Sequence, residues 1–341
     1  MLERFILNAY RNYKRSLERG RPDFLHGLLG DRLYFKLRCC LDILPVAKKY
    51  HSPTMGPLKS VTLVFNGEIS NVGLADRLRA ITSVYYWCKQ RRIDFKVHFS
   101  HPFALSDYLL PNEYDWKTDS GVLDYQGAAP MALLSYARFL GDEKNKELHR
   151  ETLNGLTECG NERIHLYSNT FCYDEHFRAC FQELFVPEKG LLAELDVLQR
   201  PLGDRFVSFS FRFTRLLGDL KDTVGTTLPD DERKRLVEKC KGSIAPVLAK
   251  TGLKMALVTS DSKTFLEAVT DLPYVYVIPG LPGHIRKQVT GEHARKLFLD
   301  MLMISRAQTA FMVRTPQMYR SGFAKHAAMI DNVPFSEIVL D

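Results

Sequence analysis

The sequence has no apolar stretch long enough to cross a bilayer, and its opening residues, MLERFILNAYRNYKRSLERGR, carry too much charge for a secretory signal. The expectation is a protein neither secreted nor integral to a membrane. A CxxC pair is also missing. The seven cysteines, Cys39, Cys40, Cys88, Cys159, Cys172, Cys180 and Cys240, form an odd set, so neither a disulfide framework nor a zinc knuckle is indicated and a reducing cytosol is the expected setting. The absence of GxxxxGKS/T, GxSxG and HExxH counts against a P-loop ATPase, an α/β hydrolase and a zincin. His98, His101, His165 and His176 stand without a paired cysteine or an acidic cluster and are poor evidence for a metal. There is no internal repeat, low-complexity segment, RNP-like strand or basic repeat, and no nucleic-acid partner is expected.

What is present is a chain of 341 residues, 45% hydrophobic, which suits two domains rather than one core. Its formal charge of +7 favours an anionic partner or reflects a solvated basic surface. Basic residues crowd between Arg4 and Arg38, where Leu2, Phe5, Ile6, Ala9, Tyr10, Tyr13 and Leu17 recur at helical spacing. Such an amphipathic helix with a cationic face either lies on an anionic membrane through residues 1–38 or packs on its own protein.

Breakers divide the chain into three regions. Residues 1–57 form a basic helical extension ending in KKYHSPTMGP; residues 58–195 form a first α/β domain; residues 196–341 form a second, Rossmann-like domain expected to bind a nucleotide. In the first domain SVTLVFN, IDFKVHF and RIHLYS read as strands, and LRAITSVYYWCKQR and EHFRACFQELF as helices. Tyr85, Tyr86 and Trp87, consecutive in a helix, read as packing rather than a sugar platform. Residues 100–160 are expected to include substrate-facing loops.

The second domain alternates strands (RFVSFSFRF, LKMALVTS, YVYVIPG, TAFMVRT) with helices (230–251, 263–272, 291–308, 318–331). Such an alternation builds a parallel sheet whose ligand crevice lies at the carboxyl ends of the strands. Arg212 leaves the first strand there, and a guanidinium offers a phosphate a planar fork of donors; the alternative is pairing with Asp219 or Asp222. Ser260, Asp261 and Ser262 follow the second strand and either cap a helix or meet a ribose or base edge. After the last strand, a helix starting near Met318 to Ser321 would aim its amides at a diphosphate, with Arg314, Arg320 and Ser321 beside them. For a general base the first domain offers Glu68, Asp76 and Asp107; Glu68 is preferred because it leaves a buried strand just before the glycine turn.

These residues resemble a family. NVGLADRLRAITSVYYWCKQRRIDFKV is similar to the Gly-Leu-Gly-Asn-Arg-Leu-Arg segment of the GDP-fucose-dependent α1,2, α1,6 and protein O-fucosyltransferase superfamily. VSFSFRFTRLLGD resembles its His-x-Arg strand, LVTSDSKTFLEAV its Thr-Asp-Asp segment and FMVRTPQMYRSGFAKHAAM its closing Ser-Ser-x-Phe-Ser stretch, in the same order over about 260 residues. The resemblance implies a GT-B-like α/β fold, two Rossmann-like domains facing across a cleft, with a helical N-terminal extension. It implies an inverting transfer of fucose from GDP-fucose to a hydroxyl of a glycan acceptor in surface polysaccharide synthesis, with no cofactor and no metal. Arg212 falls on the arginine that holds the β-phosphate, Asp261 on the position meeting guanine or ribose, and Ser321, Gly322 and Phe323 on the segment whose amides hold the diphosphate. Gly73, Arg77 and Arg79 fall in the glycine loop and helix near the donor. The departures are Ser210 in place of the family histidine, Ala75 and Asp76 in place of Gly-Asn, and Asp261 alone of the paired aspartates. They leave room for a non-catalytic nucleotide-sugar or glycan-binding protein on the same scaffold.

Overall fold

The computed structural model describes residues 24–69, 72–118, 122–220, 226–282 and 291–341. The amphipathic stretch Leu2 to Leu17, and with it most of the expected membrane-facing segment, lies outside the described residues. The chain divides into two compact units, the first comprising Met1–Val72, Asp76–His101 and Tyr114–His176, the second Gly73–Ala75, Pro102–Glu113 and Phe177–Asp341. The division therefore falls near residue 176 rather than at 195/196, and residues 102–113 belong with the second unit.

The first unit is built on four parallel strands in the order β2-β1-β5-β4, where β1 is Ser60–Phe65, β2 Asp94–Phe99, β4 Ala129–Leu133 and β5 Arg163–Ser168. Helix α2, Leu74–Arg91, follows β1. Its buried positions Leu74, Leu78, Ile81, Tyr85 and Cys88 recur every three or four residues and form the face laid against the core. Trp87 is also buried, its indole N–H donating to Asn154 Oδ1 at 3.1 Å, while Tyr86 stacks on His176 at 3.8 Å between ring centroids. The aromatic run is packing, as its helical spacing predicts. Helices α3, Ala137–Leu140, and α4, Asp142–Gly155, occupy part of the stretch expected to be loops.

Helix α1, Phe24–Ala47, kinked at Gly30 (φ 68°), is not a detached extension. It packs on β4, burying Tyr34, Phe35 and Val46; Phe35 meets Tyr136 edge-on at 5.7 Å, and the Arg38 guanidinium sits 4.9 Å from the same ring. Aromatic and aliphatic burial on this scale makes the segment part of the core of the unit.

The second unit carries five parallel strands in the order β11-β10-β7-β8-β9: β7 Val207–Phe211, β8 Ala256–Ser260, β9 Val275–Tyr276, β10 Thr309–Arg314 and β11 Phe335–Val339. The last of these is not foreseen by the sequence pattern, and the strand expected in YVYVIPG shrinks to two residues. Alternate residues Val207, Phe209 and Phe211 join a core with Leu236, Cys240, Ile244 and Leu248 of α7, Asp230–Thr251, and Phe265, Leu266 and Val269 of α8, Lys263–Val269. No residue of α9, Gly291–Ile304, or α10, Phe323–Ile330, enters that core; these two helices pack on each other, and α10 also packs on β10. The remaining helices are α5, Phe177–Leu184, and α6, Lys189–Gln199. A short antiparallel ribbon pairs β3, Leu109–Pro111, with β6, Phe185–Pro187. Beside it Tyr108 stacks on Phe298 of α9 at 4.5 Å and Phe103 meets the same ring at 5.6 Å, which draws residues 102–113 into this unit.

Strand order decides where a ligand can enter. The chain runs outward from β7 through β8 to β9, then returns to the other side of β7 for β10 and β11, so its direction of winding reverses between β7 and β10. Helices leaving these two strands diverge, and the crevice they open at the carboxyl edge is the topological switch point.

Candidate functional site

Arg212 is the first residue beyond β7, at one lip of that crevice. Its Nη1 lies 3.1 Å from Asp261 Oδ2, and the two side chains are 17% and 2% exposed. Asp261 follows β8 directly and also accepts from the Phe213 and Thr214 amides, both at 2.8 Å. Burial pushes its carboxyl above the ordinary aspartate range, while Arg212 and the two amides pull in the opposite direction. The partner of Arg212 is thus Asp261 rather than Asp219, and Asp222 lies outside the described residues. With both oxygens engaged inside the protein, Asp261 orients Arg212 and the loop behind it instead of presenting a free carboxylate to a base or ribose.

A second carboxylate works in the reverse direction. Asp219, at the far end of the same loop, accepts from the Thr264 hydroxyl at 2.8 Å and the Thr264 amide at 3.3 Å, and is hydrogen-bonded by the Ser262 hydroxyl. Ser262 in turn caps α8, its Oγ accepting from the Phe265 amide at 3.1 Å. The Ser260 hydroxyl accepts from the Ser262 amide at 3.1 Å. Between these anchors Thr214 holds a left-handed backbone (φ 54°), a conformation that costs a branched residue energy and persists only where its surroundings fix it. The loop that presents Arg212 is therefore held from both ends by the turn after β8.

Ser210, in place of the family histidine, is buried, and its hydroxyl is hydrogen-bonded to Thr259 at 2.7 Å. On the other lip, Thr315 to Met318 form a turn, Met318 N–H donating to the Thr315 carbonyl at 3.1 Å. Helix α10 starts at Phe323 with Gly322 as its cap residue, later than the expected Met318 to Ser321. The Ser321 hydroxyl accepts from the Phe323 amide at 3.3 Å, and the Gly322 carbonyl accepts from the His326 amide at 3.0 Å. Arg320 is directed away from this lip: its Nε meets Glu337 of β11 at 2.8 Å, and Arg314 pairs with the same carboxylate. Glu337 escapes a reading of the sequence because its strand does.

The first-unit candidates gather elsewhere, at the carboxyl ends of β1 and β5. Arg77, fully buried, donates from Nε to the Val72 carbonyl at 3.0 Å and from Nη1 to the His101 carbonyl, with the Phe99 ring 4.9 Å from its guanidinium carbon. Burial pulls its pKa down to about 10. It ties the glycine loop, beside Gly73, to the segment after β2. Arg79 clamps Asp174 through Nε at 3.1 Å and Nη2 at 2.6 Å and lies over Phe171, so its fork is spent inside the unit. Glu68 accepts from Asn66 Nδ2 at 2.8 Å and pairs with Lys49. Gly67 before it has φ 81°, and a Cβ there would come within 2.7 Å of the His101 ring.

The structure thus brings Arg212, Asp261, Ser260 and the Ser321–Phe323 segment to one edge of the second sheet, and Glu68 and Gly73 to the β1–α2 connection, with Arg77 in the first turn of α2. Among the described residues no three His, Cys, Asp or Glu side chains are grouped so as to hold a metal ion, and no helix is long and apolar enough to cross a membrane.

No protein-family model matches the chain, and no curated protein matches it by sequence. Solved structures do match in fold. The α-1,6-fucosyltransferase NodZ soaked with GDP-fucose is 13% identical at a TM-score of 0.51, covering 82% of this chain and 94% of that one. FUT1 of Arabidopsis thaliana in complex with GDP is 12% identical at a TM-score of 0.50, covering 98% and 78%. POFUT1 in complex with GDP is 9% identical at 0.51, covering 84% and 99%. At such identities the likeness is one of fold, and the α/β, GT-B-like architecture expected from the motifs is the one these fucosyltransferases have.

Proposed function

We propose that the chain is a glycosyltransferase that takes a nucleoside diphosphate sugar at the carboxyl edge of the second sheet and moves the sugar to a hydroxyl of a glycan acceptor. The observation that carries this reading is the Arg212 guanidinium, fixed by buried Asp261 at the switch point of a parallel sheet. Neighbours in fold bind GDP or were soaked with GDP-fucose, so GDP-fucose is the proposed donor.

In an inverting transfer the acceptor oxygen bonds to the anomeric carbon as the bond from that carbon to the diphosphate oxygen breaks. Negative charge gathers on the leaving diphosphate, and the acceptor hydroxyl loses its proton to a base. Arg212 neutralises the first charge, helped by the amides at the start of α10. Glu68 is the proposed base, its carboxyl oriented by Lys49 and Asn66. Neither step in this account is assigned to a metal or cofactor. The proposed setting is surface polysaccharide synthesis in the cytoplasm, with the part of residues 1–38 that precedes α1 as a peripheral membrane contact.

One observation favours a second reading. Where the resemblance leads one to expect histidine, Ser210 is buried against Thr259 and offers no imidazole. A non-catalytic nucleotide-sugar or glycan-binding protein would tolerate that. Calorimetry with GDP, followed by a turnover assay with GDP-fucose and mixed glycan acceptors, separates the two: binding with turnover supports the enzyme, binding alone supports the receptor, and no binding of GDP overturns the enzyme and the nucleotide-sugar receptor alike.

A further inference from the structure

A cavity of about 440 Å³ lies between the first turns of α7 and the turn that follows β10, lined by Glu232, Arg235, Leu236, Lys239, Thr315, Pro316 and Gln317. That volume falls within the range of small-molecule sites, roughly 300 to 1,000 Å³, and exceeds what a bare ion needs. Glu232, Arg235, Leu236 and Lys239 stand at intervals of three and four residues and so share one helix face. Among the described residues neither Arg235 nor Lys239 has an anionic partner, whereas Arg212, Arg233, Arg295, Arg306, Arg314 and Arg320 do. Thr315, 4% exposed, has a hydroxyl with no hydrogen-bond partner, an uncommon state for a buried polar atom. Pro316, exposed, supplies an apolar surface of the kind that the face of a sugar ring covers, with buried Leu236 behind it.

We propose that this cavity takes an anionic monosaccharide, with Arg235 and Lys239 on its carboxylate or phosphate and Glu232, Gln317 and Thr315 on its hydroxyls. Arg235 matches the planar geometry of either anion, and Lys239 adds a mobile point charge. The site borders the crevice assigned to the donor, whose other lip is the turn Thr315 to Met318, but it shares no residue with the Arg212–Asp261 pair or the Ser321–Phe323 segment, and the proposal does not rest on the donor reading above.

The test is calorimetric titration of the full chain with glucuronate, glucose 6-phosphate, glucose and inorganic phosphate, repeated on the R235A/K239A double variant. Both substitutions fall on exposed side chains, so folding should survive, and an unchanged melting temperature verifies this. Saturable binding of glucuronate or glucose 6-phosphate, at least tenfold tighter than glucose and inorganic phosphate and at least tenfold weaker in the double variant, is the expected result. Whichever of the two binds more tightly identifies the anionic group. Binding of glucose as tight as that of the charged sugars, no binding of either, phosphate binding as tight as both, or an unaffected double variant overturns the proposal. So does displacement of the sugar by GDP, which would make the cavity part of the donor site. A failure to bind GDP itself bears only on the donor reading.

Discussion

Asp261 fixes Arg212 from behind: one carboxylate, 2% exposed, holds the guanidinium at 3.1 Å while it ties down the two amides that follow it. A cation placed in this way keeps its orientation whether or not a ligand is present, which is what stabilising a leaving group requires.

Replacing Arg212 by alanine removes that preorganised charge. Transfer should fall by about 10²- to 10³-fold, the order seen when one oxyanion donor is lost. Arg212→Lys retains the charge without the fork and should recover only part of the rate. Steady-state kinetics on both variants, with activity within a few-fold of wild type, would remove Arg212 from the mechanism.

Asp261→Asn should act on structure and affinity together. Breaking a buried pair leaves its partner uncompensated at a cost of about 3 kcal/mol, and the amides of Phe213 and Thr214 lose a charged acceptor. Hydrogen exchange at those two amides should accelerate at least tenfold and GDP should bind more weakly. Unchanged exchange would mean that the loop is held by other contacts.

Glu68→Gln separates chemistry from stability. The Lys49 pair is partly exposed, so its loss should shift stability by less than about 1 kcal/mol. Turnover should fall at least tenfold while GDP affinity stays constant. A variant that turns over normally returns Glu68 to the surface carboxylates.

At Gly67 an added methyl would meet the His101 ring on a backbone turned to φ 81°. Gly67→Ala should lower stability by about 1 to 3 kcal/mol and disturb Glu68 beside it. A melting temperature equal to wild type would indicate that the turn yields freely.

Acid should weaken the first unit through His149. Burial pulls its pKa down to about 4, and its Nε2, facing the Leu134 carbonyl at 3.1 Å, carries the proton of the neutral ring. The unfolded chain takes up a proton near pH 6.5 that the folded one refuses until about pH 4, so stability is full above 6.5 and falls as pH drops through that window, by about 3 kcal/mol in total. His165, also lowered to about 4 by burial, adds in the same direction. A ring resonance of His149 titrating near 6.5 would contradict this.

Central elements and the edge strand β2 were legible in the sequence, and the other edge strands were not. The strand Arg163–Ser168 and the helix Asp230–Thr251 match their sequence patterns residue for residue, because each is packed on both sides or along a full apolar face. The strands missed or shortened, β3, β4, β6, β9 and β11, all lie at sheet edges. Paired on one side only, and half-buried along most of β9 and β11, they need little alternation, and Pro130 in β4 is tolerated there. The position of Arg212 followed from the end of an apolar strand. Its partner did not, because the two residues are far apart in sequence and meet only through β7–β8 pairing. Arg77 and Arg79 are spent on carbonyls and on Asp174, contacts with no local signature.

The route of the chain has a practical consequence for anyone dissecting this protein. Each unit is assembled from separate stretches, with the segment 102–113 lent to the second by a loop of the first half. A fragment starting at residue 196 would lack both strands of the β3–β6 ribbon, most of helix α6 and the tyrosine that stacks on Phe298. Neither half is a single continuous gene segment, and the two should be inherited, expressed and shuffled as one.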